Sequence, residues 1–282
     1  MNASILLMYG ITPCHAGSGA SVGVVDLPIQ RERHTNWPMI QSSGMKGAMR
    51  MHFEKNKSAI SGEAVLANSI FGASSADKDN DFAGAFSVSD AKILAFPMRS
   101  NVAPFVWITC PAVLKRLARD LALAGLAKED SASIPVLPDS ARALVCCDKI
   151  SGSVLLEDLE VSVSSGSLPE SLQMFFTKAE RLLIVSDEVF AYGVSSCTQV
   201  VAQISIDQTK GTTKTGSLRY QEELPADSIL YSVILWNGTR DEDQKHTAEE
   251  VKKWITADVM PTHLQAGGDE TLGRGYFELT WI

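Results

Sequence analysis

The chain opens with a short apolar run, Ser4 to Tyr9 (SILLMY), stopped by Gly10 and Pro13. Helical periodicity begins only at Ser43 to Lys55, where Met45, Ala48, Met49, His52 and Phe53 recur on one side. That order forces the fold to start as strand, long loop, helix. The loop carries Gly17, Gly19 and Gly23, which let the backbone approach a ligand closely or take φ > 0. Ser42 and Ser43 suit the capping of the helix, whose first N–H groups favour an anion. A phosphate-rich partner fits this layout. Asp26 stands among Val24, Val25 and Leu27 and is followed by Pro28, which disfavours helix, so it belongs to an extended loop.

Ile229 to Trp236 (ILYSVILW) is the strongest strand in the chain. Further strands are expected at Phe86–Phe96, Phe105–Cys110, Val154–Val163, Leu182–Val185 and Tyr276–Trp281. Helices are expected at Ala112–Ala124 behind Pro111, at Asp187–Tyr192, and at Thr247–Asp258, ended by Pro261. Val200–Ile206 and Ser217–Tyr220 flank DQTKGTTKTG, which is too long for a tight turn and reads as a projecting hairpin. Ser74–Asp81 and Ser131–Ser140, with Pro135 and Pro138, read as polar surface insertions. Strands and helices alternate without a parallel rhythm or solenoid repeat, so the fold class is α+β with an antiparallel sheet.

At 282 residues and 45% hydrophobic, one elaborated domain is expected. No run approaches a membrane span and no cationic segment precedes the first apolar run, which points to a cytoplasmic protein. Five cysteines, with Cys146 and Cys147 adjacent and none in a zinc-ligand spacing, read as reduced thiols. A formal charge of −8 excludes a protein that coats nucleic acid by net charge. Local patches remain: Arg31, Arg33, Lys46, Arg50, Lys55 and Lys57 face only Glu32 and Glu54, and Lys210, Lys214 and Arg219 have no acid between them. Each patch reads either as a solvated face or as a nucleic-acid contact.

Near the C-terminus, Gly267–Gly275 (GGDETLGRG) offers backbone amides and Arg274 to a phosphate or ribose. It is neither a Walker loop nor a dinucleotide fingerprint. Ser43-Gly44-Met45-Lys46 and Lys214-Thr215-Gly216 mimic a serine acyl-transferase set, but its Ser-Asp-Asn element is missing. Ser42, Ser43 and Lys46 at a helix start serve phosphate binding at least as well. His15 fits either a backbone hydrogen bond or an RNA contact. Facing a phosphodiester, Asp26 can hold a divalent cation or take a proton from a 2′-hydroxyl. Glu222 and Glu223 are weaker acidic candidates that also read as a solvated strand end. Trp37, Trp236 and Trp281 fit base stacking, though their apolar settings favour core packing.

With these residues assembled, the chain resembles the RAMP superfamily of CRISPR proteins, and within it the repeated backbone subunits of the type III-B (Cmr) complex. The resemblance rests on His15-Ala-Gly-Ser-Gly19, Val25-Asp-Leu-Pro-Ile-Gln-Arg-Glu32, Ser42-Ser-Gly-Met-Lys-Gly-Ala-Met-Arg50, Leu218-Arg-Tyr-Gln-Glu-Glu-Leu-Pro225 and Gly267–Gly275. It implies a ferredoxin-like, RRM-like palm with a helical insertion and a protruding β-hairpin thumb. The single domain would then span 1–282, with insertions about 60–150 and a thumb about 200–222. The same resemblance implies a subunit that stacks into a helical filament on guide RNA beside other Cmr subunits and meets complementary target RNA. Asp26 becomes the catalytic residue and a weak ligand for Mg²⁺ or Mn²⁺, with His15, Glu222 and Glu223 as possible auxiliaries. Ser42, Ser43, Lys46, Arg50, Gly267, Gly268, Arg274, Lys210 and Lys214 become the RNA-binding set. Two other readings stay open: a purely structural RNA-binding subunit, and a guide-RNA processing ribonuclease. At Glu223 the chain departs from relatives, which tend to carry an aromatic residue there.

Overall fold

Ile229–Trp236 is buried along almost its whole length because other elements cover both its faces, which explains why its sequence runs apolar without alternation. The computed structural model describes residues 2–60, 67–72, 82–127, 134–137, 139–146, 150–241 and 245–282. Within it, this strand pairs antiparallel with Ala3–Gly10 on one side and with Phe86–Val88 and Ala91–Arg99 on the other. Tyr276–Trp281 lies beyond Ala3–Gly10, and His263–Gln265 closes that edge. On the opposite side the sheet continues through Phe105–Thr109, Leu182–Ile184, Arg142–Val145, Leu159–Ser165 and Gly152–Leu156, and with Met39–Ile40 beside Ala91–Arg99 it counts twelve strands among the described residues.

The architecture is α+β, but the sheet is mixed where an antiparallel one is expected. Phe105–Thr109 runs parallel to Leu182–Ile184, and Arg142–Val145 parallel to Leu159–Ser165. A parallel pair needs a crossover, and local periodicity marks strands without naming their partners. Two expected strands are also divided. Phe86–Phe96 breaks at Ser89 and Asp90, whose side chains turn to neighbouring backbone instead of continuing the strand. Val154–Val163 breaks at Glu157, held at φ 52°, and folds back as a hairpin.

Helix Ser42–Asn56 buries Met45, Met49 and Phe53, one side chain per turn. Thr247 and Glu250 form a capping box for Ala248–Lys253, which continues as the wider turn Trp254–Val259 and buries Val251, Ile255 and Val259. These two helical segments pack against each other beside the sheet. Pro111–Ala124 starts on its proline and stops at Gly125 in the left-handed region. Asp187–Ser196 runs a turn beyond its expected end and is capped by the Ser186 hydroxyl. Gln199–Gln203 and Arg219–Glu223 form the base of the expected hairpin, with a smaller ladder, Ile206–Asp207 with Thr212–Thr213, beyond it. Ser74–Asp81 and Cys147 lie outside the described residues, as does part of Ser131–Ser140. Among the described residues no helix is long and apolar enough to cross a membrane.

One buried ion cluster ties Pro111–Ala124 to the sheet. Asp120 accepts from Lys92 Nζ (2.6 Å), the Tyr231 hydroxyl (2.9 Å) and Arg119 (3.0 Å). Burial pushes its carboxyl up, but the Lys92 ammonium and the Tyr231 and Arg119 hydrogen bonds outweigh this and hold it below the usual carboxylate range. A depressed folded pKa contributes stability above the unfolded value, near 3.9, that is lost as pH falls through the folded one. Asp120→Asn should therefore lower stability at pH 7 by about 3 kcal/mol, since it leaves Lys92 unpaired against the sheet. Urea unfolding should show the gap from the wild-type chain narrowing below about pH 4.

Candidate nucleic-acid interface

Arg219–Glu223 gives one edge to Gln199–Gln203 and the other to the long loop after the first strand. Leu27 N–H donates to the Tyr220 carbonyl (3.0 Å), and Glu222 N–H donates to the Leu27 carbonyl (2.9 Å). This short parallel contact sets the chain around Asp26. The Asp26 carboxylate accepts the Tyr220 N–H through Oδ2 at 2.7 Å, and the residue is exposed in a non-helical loop. Among the described residues, its Oδ1 has no hydrogen-bond partner.

His15 joins the same strand. Its Nδ1 lies 2.7 Å from the Glu222 carbonyl oxygen. A carbonyl has no proton to give, so Nδ1 donates and Nε2 is the ring nitrogen left to face other groups. Residue 17 must be small beside that ring, because a Cβ there would lie 2.8 Å from Nε2. Gly268 N–H donates to the His15 carbonyl (2.8 Å). Gly267 takes φ 92°, and a Cβ on it would stand 2.9 Å from that oxygen. Two glycine-bearing segments from opposite ends of the sequence thus meet at His15.

Glu222 and Glu223 are not a solvated strand end: they are 7% and 1% exposed. Side chains alternate along the strand, and each acid is met on its own face. Glu222 accepts from Arg31, Thr198 and the Ile29 N–H. Glu223 pairs with Arg274 Nε at 2.8 Å, while Gln221 on the same face reaches Asp269 at 2.6 Å. Arg274, read as a phosphate ligand, is thus half-buried and tied to Glu223. Neither acid is placed to work on a substrate.

At the helix start, Ser42 and Ser43 do not cap. Gln41 is the N-cap, without a side-chain bond, and both serines lie in the first turn. Asp90, at the break between two strands, supplies the anion the helix favours by accepting the Ser42 N–H at 2.7 Å. Ser43 and Gly44 are exposed. Lys46 is half-buried over the Phe86 ring and donates to the Phe86 carbonyl, and burial followed by the Arg50 charge pushes its ammonium pKa down. The Arg50 guanidinium donates to the Gly72 carbonyl at 2.9 Å and to the Asn68 side chain. Lys210 and Lys214 are exposed on the hairpin, apart from the other candidates. Among the tryptophans, Trp37 and Trp236 are buried and Trp281 is half-buried, as core packing requires.

Thr198 and Asp90 have no functional mark in the sequence, and Arg31, Gln221 and Asp269 are marked only as members of a basic patch or of a resembling block, yet all five hold the candidates in place. The available signal was the dense polar run Arg219–Glu223 leading directly into Leu224-Pro225: acids inside a strand need partners.

The chain belongs to the RAMP superfamily, whose model matches residues 8–278. It is 36% identical over 294 residues to the CRISPR system Cmr endoribonuclease Cmr4 of Pyrococcus furiosus, covering 99% of this chain and 96% of that one. Oligomeric Cmr4 from Pyrococcus furiosus superposes with a TM-score of 0.73 at 27% identity, over 100% of this chain and 98% of that one. A chain of the Type III-B Cmr-beta complex bound to cognate target RNA gives a TM-score of 0.74 at 21% identity, over 99% and 96%, a likeness of fold.

Arg274→Ala leaves Glu223 buried without its cation and should lower stability by about 3 kcal/mol. Adding Glu223→Gln should recover part of that loss, read as a coupling energy in a urea double-mutant cycle.

Proposed function

We propose that this chain is a guide-RNA-binding filament subunit of a type III-B CRISPR effector and that it cleaves the complementary target RNA, with Asp26 as the acting carboxylate. The observation that carries the reading is the Asp26 side chain itself: exposed, and fixed through one oxygen by the Tyr220 N–H. The fold supports it. Tyr276–Trp281, Ala3–Gly10, Ile229–Trp236 and Ala91–Arg99 lie in that antiparallel order, with a helix following the first and third strands in sequence. In this reading those four strands and two helices are a ferredoxin-like, RRM-like palm within a single domain, and the hairpin at 199–223 is its thumb. Relatedness to an oligomeric Cmr4 supports self-association and companion Cmr subunits, and the reading puts that assembly in the cytoplasm.

A guide that pairs with its target supplies sequence recognition, so the protein needs only backbone contacts and shape. Ser43, Lys46 and the Gly267–Gly268 turn are the guide contacts in this reading, and Lys210 and Lys214 extend them along the thumb. When the thumb displaces a target nucleotide, the ribose 2′-oxygen comes into line with the adjacent phosphorus. The 2′-oxygen then bonds to phosphorus as the 5′-oxygen leaves, giving a 2′,3′-cyclic phosphate and a 5′-hydroxyl. Asp26 takes or orients the 2′-hydroxyl proton. Asp26 offers one hard oxygen donor in its Oδ1, since its Oδ2 accepts the Tyr220 N–H. A Mg²⁺ or Mn²⁺ ion held by Asp26 and RNA phosphates fits that donor and supplies charge neutralisation at the phosphate.

Asp26→Asn should abolish cutting in the complex assembled on guide RNA while assembly persists. Cleavage at the wild-type rate would remove the nuclease claim, and an intact target with unmutated complex and magnesium or manganese would leave a scaffold. Lys46→Ala should weaken guide binding and reduce the slope of log affinity against log salt by about one unit. Titrations between low and moderate salt measure it, and an unchanged slope excludes a phosphate contact.

A further inference from the structure

Asp26 is anchored unequally on its two sides. Toward the N-terminus, the loop tip is open: Val22 and Val24 are fully exposed, and the contacts there are the Ser21 N–H to the Asp26 carbonyl and a local Ser21–Gly23 turn. Toward the C-terminus, Pro28 and Gln30 bond to the loop's own first half at Ser18 and Ala16, and Leu27 N–H bonds to Tyr220. The remaining contacts of Leu27, Ile29 and Arg31 to the strand Arg219–Glu223 converge on one residue. Glu222 Oε2 accepts the Ile29 N–H at 3.0 Å, and Oε1 accepts Arg31 Nη2 at 2.5 Å and Thr198 Oγ1 at 2.7 Å. Its backbone N–H donates to Leu27, and its carbonyl holds His15. Arg31 in turn donates to the Asn36 and Val194 carbonyls, fixing the loop to helix Asp187–Ser196.

Both oxygens of a 7% exposed carboxylate are thus directed at protein donors, and none is left for RNA. We propose that Glu222 is a positioning residue for target cleavage: its buried carboxylate sets the course of residues 27–31 and thereby the place of the Asp26 side chain, without touching RNA. The inference rests on the nuclease reading of Asp26. A charge is needed because three donors, one of them cationic, meet the same group; an amide presents a donor where one of them now finds an acceptor. An in-line reaction feels small displacements, and about 1 Å is enough to lower its rate on the order of 10²-fold.

The test compares Glu222→Gln and Glu222→Asp with the wild-type chain in complexes reconstituted on guide RNA. In single-turnover cleavage, Glu222→Gln should lose about 10²-fold in rate with the target concentration at half saturation unchanged. Glu222→Asp, which keeps the charge, should recover part of the rate. In an Asp26→Asn background, Glu222→Gln should have no further effect. If wild-type complex cuts, Asp26→Asn does not, and Glu222→Gln cuts at the wild-type rate, the positioning role is overturned while the nuclease reading stands. If wild-type complex does not cut, the nuclease reading falls, and amide hydrogen exchange in the unassembled chain decides the rest. Faster exchange at Leu27 and Ile29 in Glu222→Gln, with Ile229–Trp236 unchanged, supports the role; unchanged exchange at both amides overturns it. Thr198→Val, which removes one neutral donor, gives the same readouts in smaller measure should Glu222→Gln fail to fold.

Discussion

A carboxylate taken out of water must be met by donors, and Arg219–Glu223 carries two such carboxylates side by side. Because neighbouring side chains on a strand point to opposite faces, Glu222 and Glu223 draw partners from different parts of the chain. Glu222 gathers Ile29, Arg31 and Thr198; Glu223 gathers Arg274. The strand therefore binds the N-terminal loop on one face and the Gly267–Gly275 loop on the other, and its backbone holds His15 and Asp26. His15, Asp26 and the Gly267–Gly268 turn are neighbours because of that double demand for partners.

The same demand reorganises the basic residues. Arg31, Arg116 and Arg274 are each paired with a buried or nearly buried acid, Glu222, Glu32 and Glu223 respectively. These cations hold the frame together and are poorly placed to add to an external field. Toward solvent stand the helix start at Ser43 and Gly44 with half-buried Lys46, Arg33 on the long loop, and Lys210, Lys214 and Arg219 on the hairpin, while exposed Lys55 and Lys57 pair with Glu270 and Glu54. A chain of net charge −8 can follow nucleic acid only through such local contacts, which suits a partner already held in register by base pairing.

Helix Ser42–Asn56 shows how packing and electrostatics share one element. Met45, Met49 and Phe53 fix its orientation, and its N-terminus is met by Asp90 from the turn between two strands. An aspartate that interrupts Phe86–Phe96 is thus also the anion that the helix dipole calls for. Lys46, one turn on, lies over Phe86 in that same corner.

Long periodic runs were legible in the sequence. Ala3–Gly10, Pro111–Ala124, Ile229–Trp236 and Tyr276–Trp281 stand close to where apolar spacing and Pro or Gly signals put them, because each buries a local pattern against one sheet. The loop containing Asp26 and its lack of helix followed from Pro28 and the glycines. The resemblance of five separated blocks to RAMP proteins reached the family. Illegible were the parallel pairings, the folding back at Glu157, the burial of Glu222 and Glu223, and the engagement of Arg31 and Arg274. Each depends on a partner distant in the chain, and a side chain's type does not say which donor or which strand it will meet. The sequence by itself determined the long strands and helices and the non-helical loop that carries Asp26, since these follow from local sterics and periodicity. Only the tertiary structure decided which charges face water and which hold the site together, since burial and pairing come from the approach of remote segments.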